Sequence, residues 1–205
     1  MKKIDIFNLI FIIFSFVIIV YLIYIIFILI SKIKYKNLCN KPTNDAHIWN
    51  DNNVEYNNCY SYAMRDINNL YKPSPGNNMK NSNYDMNSCE EIISHIKRDY
   101  PDRRVKVLDD NNTKSCEECN YYKVGLYIDD NNKDDIDFHF YRQNRDGYWS
   151  HKPGSNLVTN KDADGKLITD PDKANRNYGE LNYSKKCKKL CVPFKYNEKI
   201  DPIIL

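Results

Sequence analysis

From Leu9 to Ile30 the chain reads LIFIIFSFVIIVYLIYIIFILI, 22 residues with no charge and with Ser15 as the one clearly polar member. As a helix this run extends about 33 Å, enough for a bilayer core of about 30 Å. A secretory leader carries a shorter apolar stretch, about 7–15 residues, followed by a small-residue cleavage site. Here SKIKYKNLC follows, without such a site. The expectation is an uncleaved, single-pass transmembrane anchor over residues 1–32, in contact with the lipid bilayer through residues 9–30.

Setting the anchor aside changes what the charge says. The whole chain is formally +3, but residues 46–205 hold 24 Lys and Arg against 25 Asp and Glu. The basic excess is juxtamembrane, in Lys32, Lys34, Lys36 and Lys41, where it suits anionic headgroups. The remainder has no basic surplus, which argues against nucleic acid as a partner. About 160 residues suffice for one domain with its own core. The expected boundaries are a linker over 33–50, a domain over 51–193 and a tail over 194–205. The bias towards Asn, Asp, Lys and Tyr is that of an AT-rich genome, a large DNA virus among the expected sources, and says little about fold.

Seven cysteines are present: Cys39, Cys59, Cys89, Cys116, Cys119, Cys187 and Cys191. Three disulfides leave one thiol over, and an odd thiol raises a functional question. Cys116-Glu-Glu-Cys119 and Cys187-Lys-Lys-Leu-Cys191 also have spacings that suit a four-sulfur zinc site. Neither pair carries the Gly/Pro-rich knuckle expected around such ligands, so disulfides are favoured, with no metal and no cofactor. Disulfides want an oxidising compartment, extracytoplasmic or virion. The four lysines after the span, against Lys2 and Lys3 before it, instead favour a cytoplasmic domain. The two signals disagree on the side of the membrane.

Within the domain, Cys59, Ala63, Met64, Ile67 and Leu70 recur at helical spacing, with Asn57 or Asn58 as cap. Ser88 caps a second helix, with Glu91 completing a capping box and Ile92, Ile93 and Ile96 as its apolar stripe. The period then changes. VKVL (105–108), YKVGLYI (122–128) and DFHFYRQ (137–143) read as strands, and the turn NRDG (144–147) joins the last to YWSH (148–151) as a hairpin. Helices followed by an antiparallel sheet give an α+β domain. A long loop is expected from Ser155 to Tyr183, with one short strand at LIT (167–169).

Cys59 stands where helix N–H groups lower a thiol pKa. His139 lies on a strand, and His151 follows twelve residues later on its hairpin partner. Twelve is even, so both can project from one sheet face. Thiol catalysis uses such a set: a thiolate, an imidazole to move protons, and a polar group to orient that imidazole.

This order, a cysteine opening a helix, a strand histidine, then HFYRQNRDGYWSH bringing a second histidine twelve residues on, resembles the papain-like superfamily. Within it, the pattern is closest to the NlpC/P60 and CHAP cysteine peptidases and amidases. The resemblance covers roughly residues 50–155. It departs from the family at the nucleophile, where Asn58-Cys59-Tyr60-Ser61 stands for D-C-S-G. It implies a papain-like domain in which the helix bearing Cys59 packs on an antiparallel sheet. Cys59 would be the nucleophile, His139 the base and His151 the orienting residue, with Asn53 or Tyr56 as an oxyanion donor. The substrate implied is a peptide or peptidoglycan-like amide, and the expected function a membrane-anchored thiol hydrolase. Tyr148 and Trp149 are candidates for a substrate groove, with core or hairpin packing as the other reading. The rival function is non-enzymatic: a disulfide-stabilised structural or attachment protein of a membrane or virion. His47 and His95 read as structural, the latter on the polar face of its helix. NKDADG (160–165) starts like a calcium loop, but Pro171 stands where the closing glutamate belongs, so it reads as a solvated turn.

Overall fold

The computed structural model describes residues 6–37, 46–50, 55–67, 72–76, 88–108, 116, 120–129, 131 and 137–194. The chain forms two compact units, Met1–Cys39 and Asn40–Leu205. The first is a single helix, α1 (Ile6–Asn37), apolar all round. Its Phe7–Ser31 stretch, of mean hydropathy 3.2, is long and apolar enough to cross a membrane.

The second unit is α+β. It contains α2 (Ala46–Asn50), α3 (Cys59–Met64), α4 (Cys89–Asp99), and strands β1 (Lys106–Val107), β2 (Tyr121–Asp129), β3 (Asp137–Gln143), β4 (Trp149–Ser150), β5 (Lys185–Lys186) and β6 (Leu190–Pro193). The sheet runs β1-β6-β2-β3-β4, with β5 also pairing β2. Every pairing among the described residues is antiparallel.

Period-two alternation divides the sheet into two faces. Val124, Leu126, Ile128, Phe138 and Phe140 pack with Cys59, Tyr60, Ala63 and Met64 of α3 and with Ile92, Ile93 and Ile96 of α4. The other face carries Tyr127, Tyr141 and Trp149, covered by Ile168 and Tyr183 from the long segment after β4. That segment is ordered by backbone bonds such as Trp149 N to Ile168 O (2.9 Å) and by the bridges His151↔Thr159 and Lys161↔Leu167. Arg142, wholly buried, ties β3 to α3: its guanidinium lies 3.9 Å over the Tyr62 ring and donates to Tyr62 Oη.

Among the described residues two disulfides staple the unit, Cys89–Cys187 and Cys116–Cys191. Each joins a segment before β2 to the strands after the long loop. Cys187 and Cys191 therefore go to different partners, and three of the four thiolates that the four-sulfur zinc site would need are consumed. Among the described residues no group of His, Cys, Asp and Glu could hold a metal. Cys39 and Cys119 lie outside the described residues.

The helix expected to reach Leu70 is shorter. Arg65 adopts a left-handed backbone (φ 53) and caps α3 after six residues; Leu70 is outside the described residues. The expected linker narrows as well. α1 runs on to Asn37, and α2 occupies 46–50, where Trp49 is buried edge-on against Tyr62. A tryptophan at that position needs a core, and α3 supplies it. Phe194, assigned to the tail, packs against the main core. His95 is buried rather than on a polar face. Gly76, at φ +92, approaches so closely that an added Cβ would sit 2.4 Å from His95 Nδ1.

Candidate functional site

The site lies on β3, around His139. Cys59 Sγ donates to the carbonyl of Phe138, the residue before it, at 3.8 Å. The N–H of Phe140, the residue after it, also points to the sulfur and favours its thiolate. The thiol thus flanks the His139 backbone. Cys59 is the free cysteine among the described residues.

Why Cys59 stands there follows from local sequence. Asn58 caps α3, its Oδ1 accepting from Tyr60 N (3.1 Å) and Ser61 N (3.2 Å), with Ser61 closing the box. Asn58 Nδ2 donates to Pro73 O (2.8 Å), which pins the cap. This cap also consumes two of the N–H groups expected to acidify the thiol, and a six-residue helix has little dipole to add. Cys59 is only 5% exposed. Burial pushes its thiol up to about 12, against the lowering influence of the Phe140, Tyr60 and Cys59 backbone N–H groups. The expected activated thiolate is therefore corrected to a neutral thiol.

His139 and His151 do meet on one face. In the β3–β4 register Arg142 pairs with Ser150; one step back, His151 lies opposite Tyr141 and diagonal to His139. His139 Nε2 and His151 Nδ1 are 2.8 Å apart, and His151 Nε2 is 3.0 Å from Lys161 O. Burial, then the neighbouring His151, holds His139 well below the ordinary imidazole range. Burial also lowers His151, to about 4, against the raising influence of Lys161 O and Asp162. Both rings are neutral at neutral pH.

The tautomers follow. A carbonyl only accepts, so His151 Nε2 carries the proton that faces Lys161 O. His151 Nδ1 then accepts, and His139 Nε2–H donates to it. His139 Nδ1 is left as a bare lone pair, with no hydrogen-bond donor among the described residues. An imidazole in that state can take a proton.

Beside this pair lies a cavity of about 520 Å³ lined by Asp137, His139, Tyr178, Leu181, Tyr183 and the turn Pro153–Asn156. Tyr183 stacks on His139 with centroids 4.8 Å apart and donates to Asp137 Oδ2 (2.8 Å). Tyr178 Oη contacts Tyr141 Oη at 3.1 Å and His151 Nε2 at 3.5 Å. Behind the turn, the wholly buried Lys152 donates to Gly154 O (2.8 Å) and Asn156 O (3.1 Å). Burial brings its ammonium down to about 8.

Several expected residues are placed elsewhere. Trp149 is core, packed with Tyr127 and Tyr141, and Tyr148 is exposed on the hairpin turn; neither lines the cavity. Tyr56 is exposed and Asn53 lies outside the described residues. Asp162 and Asp164 hold backbone and side-chain N–H groups of Lys166 and Asn175 in a self-contained turn. Asp137, Tyr178, Tyr183 and Lys152 were missed as site residues. Asp137 alone had a signal, being two residues before His139 and so on the same face. The tyrosines come from a loop without periodicity.

Fold and site together define a disulfide-stapled α+β domain with a buried free thiol and a neutral histidine pair, of which His139 lines a cavity. The chain belongs to the family described as a domain of unknown function (DUF7689), whose sequence model matches residues 47–186. It is also similar to a protein of Ruditapes philippinarum, insoluble matrix shell protein 1, being 30% identical over 135 residues, 62% of this chain and 77% of that relative. No solved structure matches.

Proposed function

We propose that the chain is a membrane-anchored thiol hydrolase of papain-like, NlpC/P60-like fold that cleaves a peptide or peptidoglycan-like amide. The observation that carries this reading is the state of His139: Nε2 is spent on His151, Nδ1 is a free lone pair, and the Cys59 thiol is held against the adjacent peptide groups. In the resting structure Cys59 Sγ bonds to Phe138 O, while the His139 ring packs with Tyr141 and Tyr183. Once the sulfur leaves that carbonyl for the imidazole, His139 acts as a general base that takes its proton as sulfur attacks the amide carbon. The imidazolium then gives that proton to the leaving amine, and water resolves the thioester. His151 acts by fixing the His139 tautomer. The Cys59 backbone N–H, which bears on the sulfur, would be one donor to the oxyanion; the Tyr60 N–H is spent on Asn58 Oδ1. The sulfur does not line the cavity, so attack includes displacement of its cover by the bound substrate.

The test is hydrolysis of a fluorogenic peptide library by the full chain in nanodiscs, compared with Cys59→Ala. Turnover lost in Cys59→Ala supports the reading; equal turnover in both overturns it.

A second reading is favoured by a separate observation. The relative is named as an insoluble matrix shell protein, and two disulfides staple this domain as in proteins that must endure outside the reducing cytosol. On that reading the domain is a structural component at a membrane or virion surface, displayed on its anchor. It expects His139→Gln to leave function intact and loss of either disulfide to abolish it.

A further inference from the structure

The cavity beside His139 has a definite chemical bias. Of its nine lining residues, the one charged side chain besides the neutral histidine is Asp137. Both carboxylate oxygens are oriented, Oδ1 by Phe138 N (2.8 Å) and Oδ2 by Tyr183 Oη (2.8 Å). No cation pairs with Asp137 among the described residues. The nearest buried ammonium, on Lys152, is turned onto Gly154 O and Asn156 O. The rest of the lining is the rings of Tyr178 and Tyr183, the apolar Pro153 and Leu181, and the small polar turn.

An oriented carboxylate among aromatic faces attracts a cation twice, through charge-assisted hydrogen bonds and through the ring quadrupoles. Apolar walls suit the methylene stem of such a ligand, and a few placed polar groups give its orientation. An anionic group would face the carboxylate and the ring faces. A neutral apolar side chain would strip water from Asp137 and offer its charge no counter-charge, leaving it with only the Phe138 N and Tyr183 Oη hydrogen bonds.

We propose that this cavity is a subsite for an ammonium group on an aliphatic stem, so that the substrates are amides of lysine-like, amine-bearing residues. The word substrate rests on the hydrolase reading; the binding does not. Asp137 receives the ammonium, Tyr178 and Tyr183 flank it, and Leu181 and Pro153 pack the stem. The ligand then reaches the wall formed by His139.

The test uses the full-length Cys59→Ala chain in nanodiscs, with histidine ring carbons isotopically labelled. The His139 resonance is titrated with Nα-acetyl-lysine methylamide and with the same compound acetylated at Nε, which keeps the stem and removes the charge. The charged probe is expected to bind about tenfold tighter. Asp137→Asn keeps an acceptor for Phe138 N and should erase that difference while leaving the neutral probe unchanged. Tyr178→Leu, a second variant that keeps apolar volume, should weaken the charged probe selectively. Equal binding of the two probes, no binding of either, or equal weakening of both by Asp137→Asn overturns the proposal. The two readings fail separately. Selective binding with no hydrolysis by the parent chain leaves the subsite and removes the hydrolase. Hydrolysis without lysine preference does the reverse.

Discussion

His139 Nε2 and His151 Nδ1 lie 2.8 Å apart, twelve residues from one another in sequence and on one face of the sheet. Because Lys161 O fixes the far proton of His151, this contact makes His139 Nδ1 the basic atom of the pair. On the hydrolase reading, the role of His151 is to accept one hydrogen bond. His151→Asn, whose Oδ1 can accept from His139 Nε2–H, should keep most of kcat/KM on a peptide amide. His151→Leu should lose about a hundredfold, mostly in kcat. If both variants behave alike, the tautomer argument fails.

The histidine pair should make the fold acid-sensitive. Both folded pKa values lie below the unfolded imidazole value, His151 at about 4 and His139 well depressed. Between those values the unfolded chain binds more protons than the folded one. The stability is full above about pH 6.5 and is lost as pH falls through the folded values. For His151 alone the loss is on the order of 3 kcal/mol. Denaturant midpoints measured from pH 7 to 4 should fall, and should fall less in His151→Asn.

Cys59 gives the opposite sign at the alkaline end. Its folded pKa, pushed up to about 12 by burial, exceeds that of an unfolded thiol. Its contribution to stability is whole below about pH 9 and is lost as pH rises towards 12. Alkylation of the resting protein by iodoacetamide should accordingly be slow at pH 8. Rapid modification of Cys59 there would show a thiolate the structure does not contain.

Each disulfide closes a long loop, 98 residues for Cys89–Cys187 and 75 for Cys116–Cys191. By loop entropy each is worth about 4 kcal/mol. Cys89→Ser with Cys187→Ser should lower the unfolding free energy by about that amount, and the denaturant midpoint with it, while sparing the Cys59 environment. Unchanged midpoints would remove the staple from the account.

The sequence exposed β3 without error at either end, because Phe138, His139, Phe140 and Tyr141 alternate between two buried faces of different chemistry. The same parity put His139 and His151 together. α4 was legible from Ser88 and its isoleucines. What could not be read was set by tertiary contact. β6 is four residues long and becomes central only by pairing β1 and β2. Trp149 looked like a groove residue, and the ordered segment after β4 turned it into core. α3 stops where Arg65 takes a left-handed backbone, which no periodicity foretells. The direction of the Cys59 pKa depended on burial, a property of the fold rather than of a helix start.

The central claim is that Cys59 attacks with His139 as its base. Intact-protein mass spectrometry after incubation with a peptidyl vinyl sulfone bearing a lysine side chain tests it most directly. One adduct is expected, mapped to Cys59, formed faster than with iodoacetamide and lost in both Cys59→Ala and His139→Gln. No adduct at Cys59, or the same rate in His139→Gln, would contradict it.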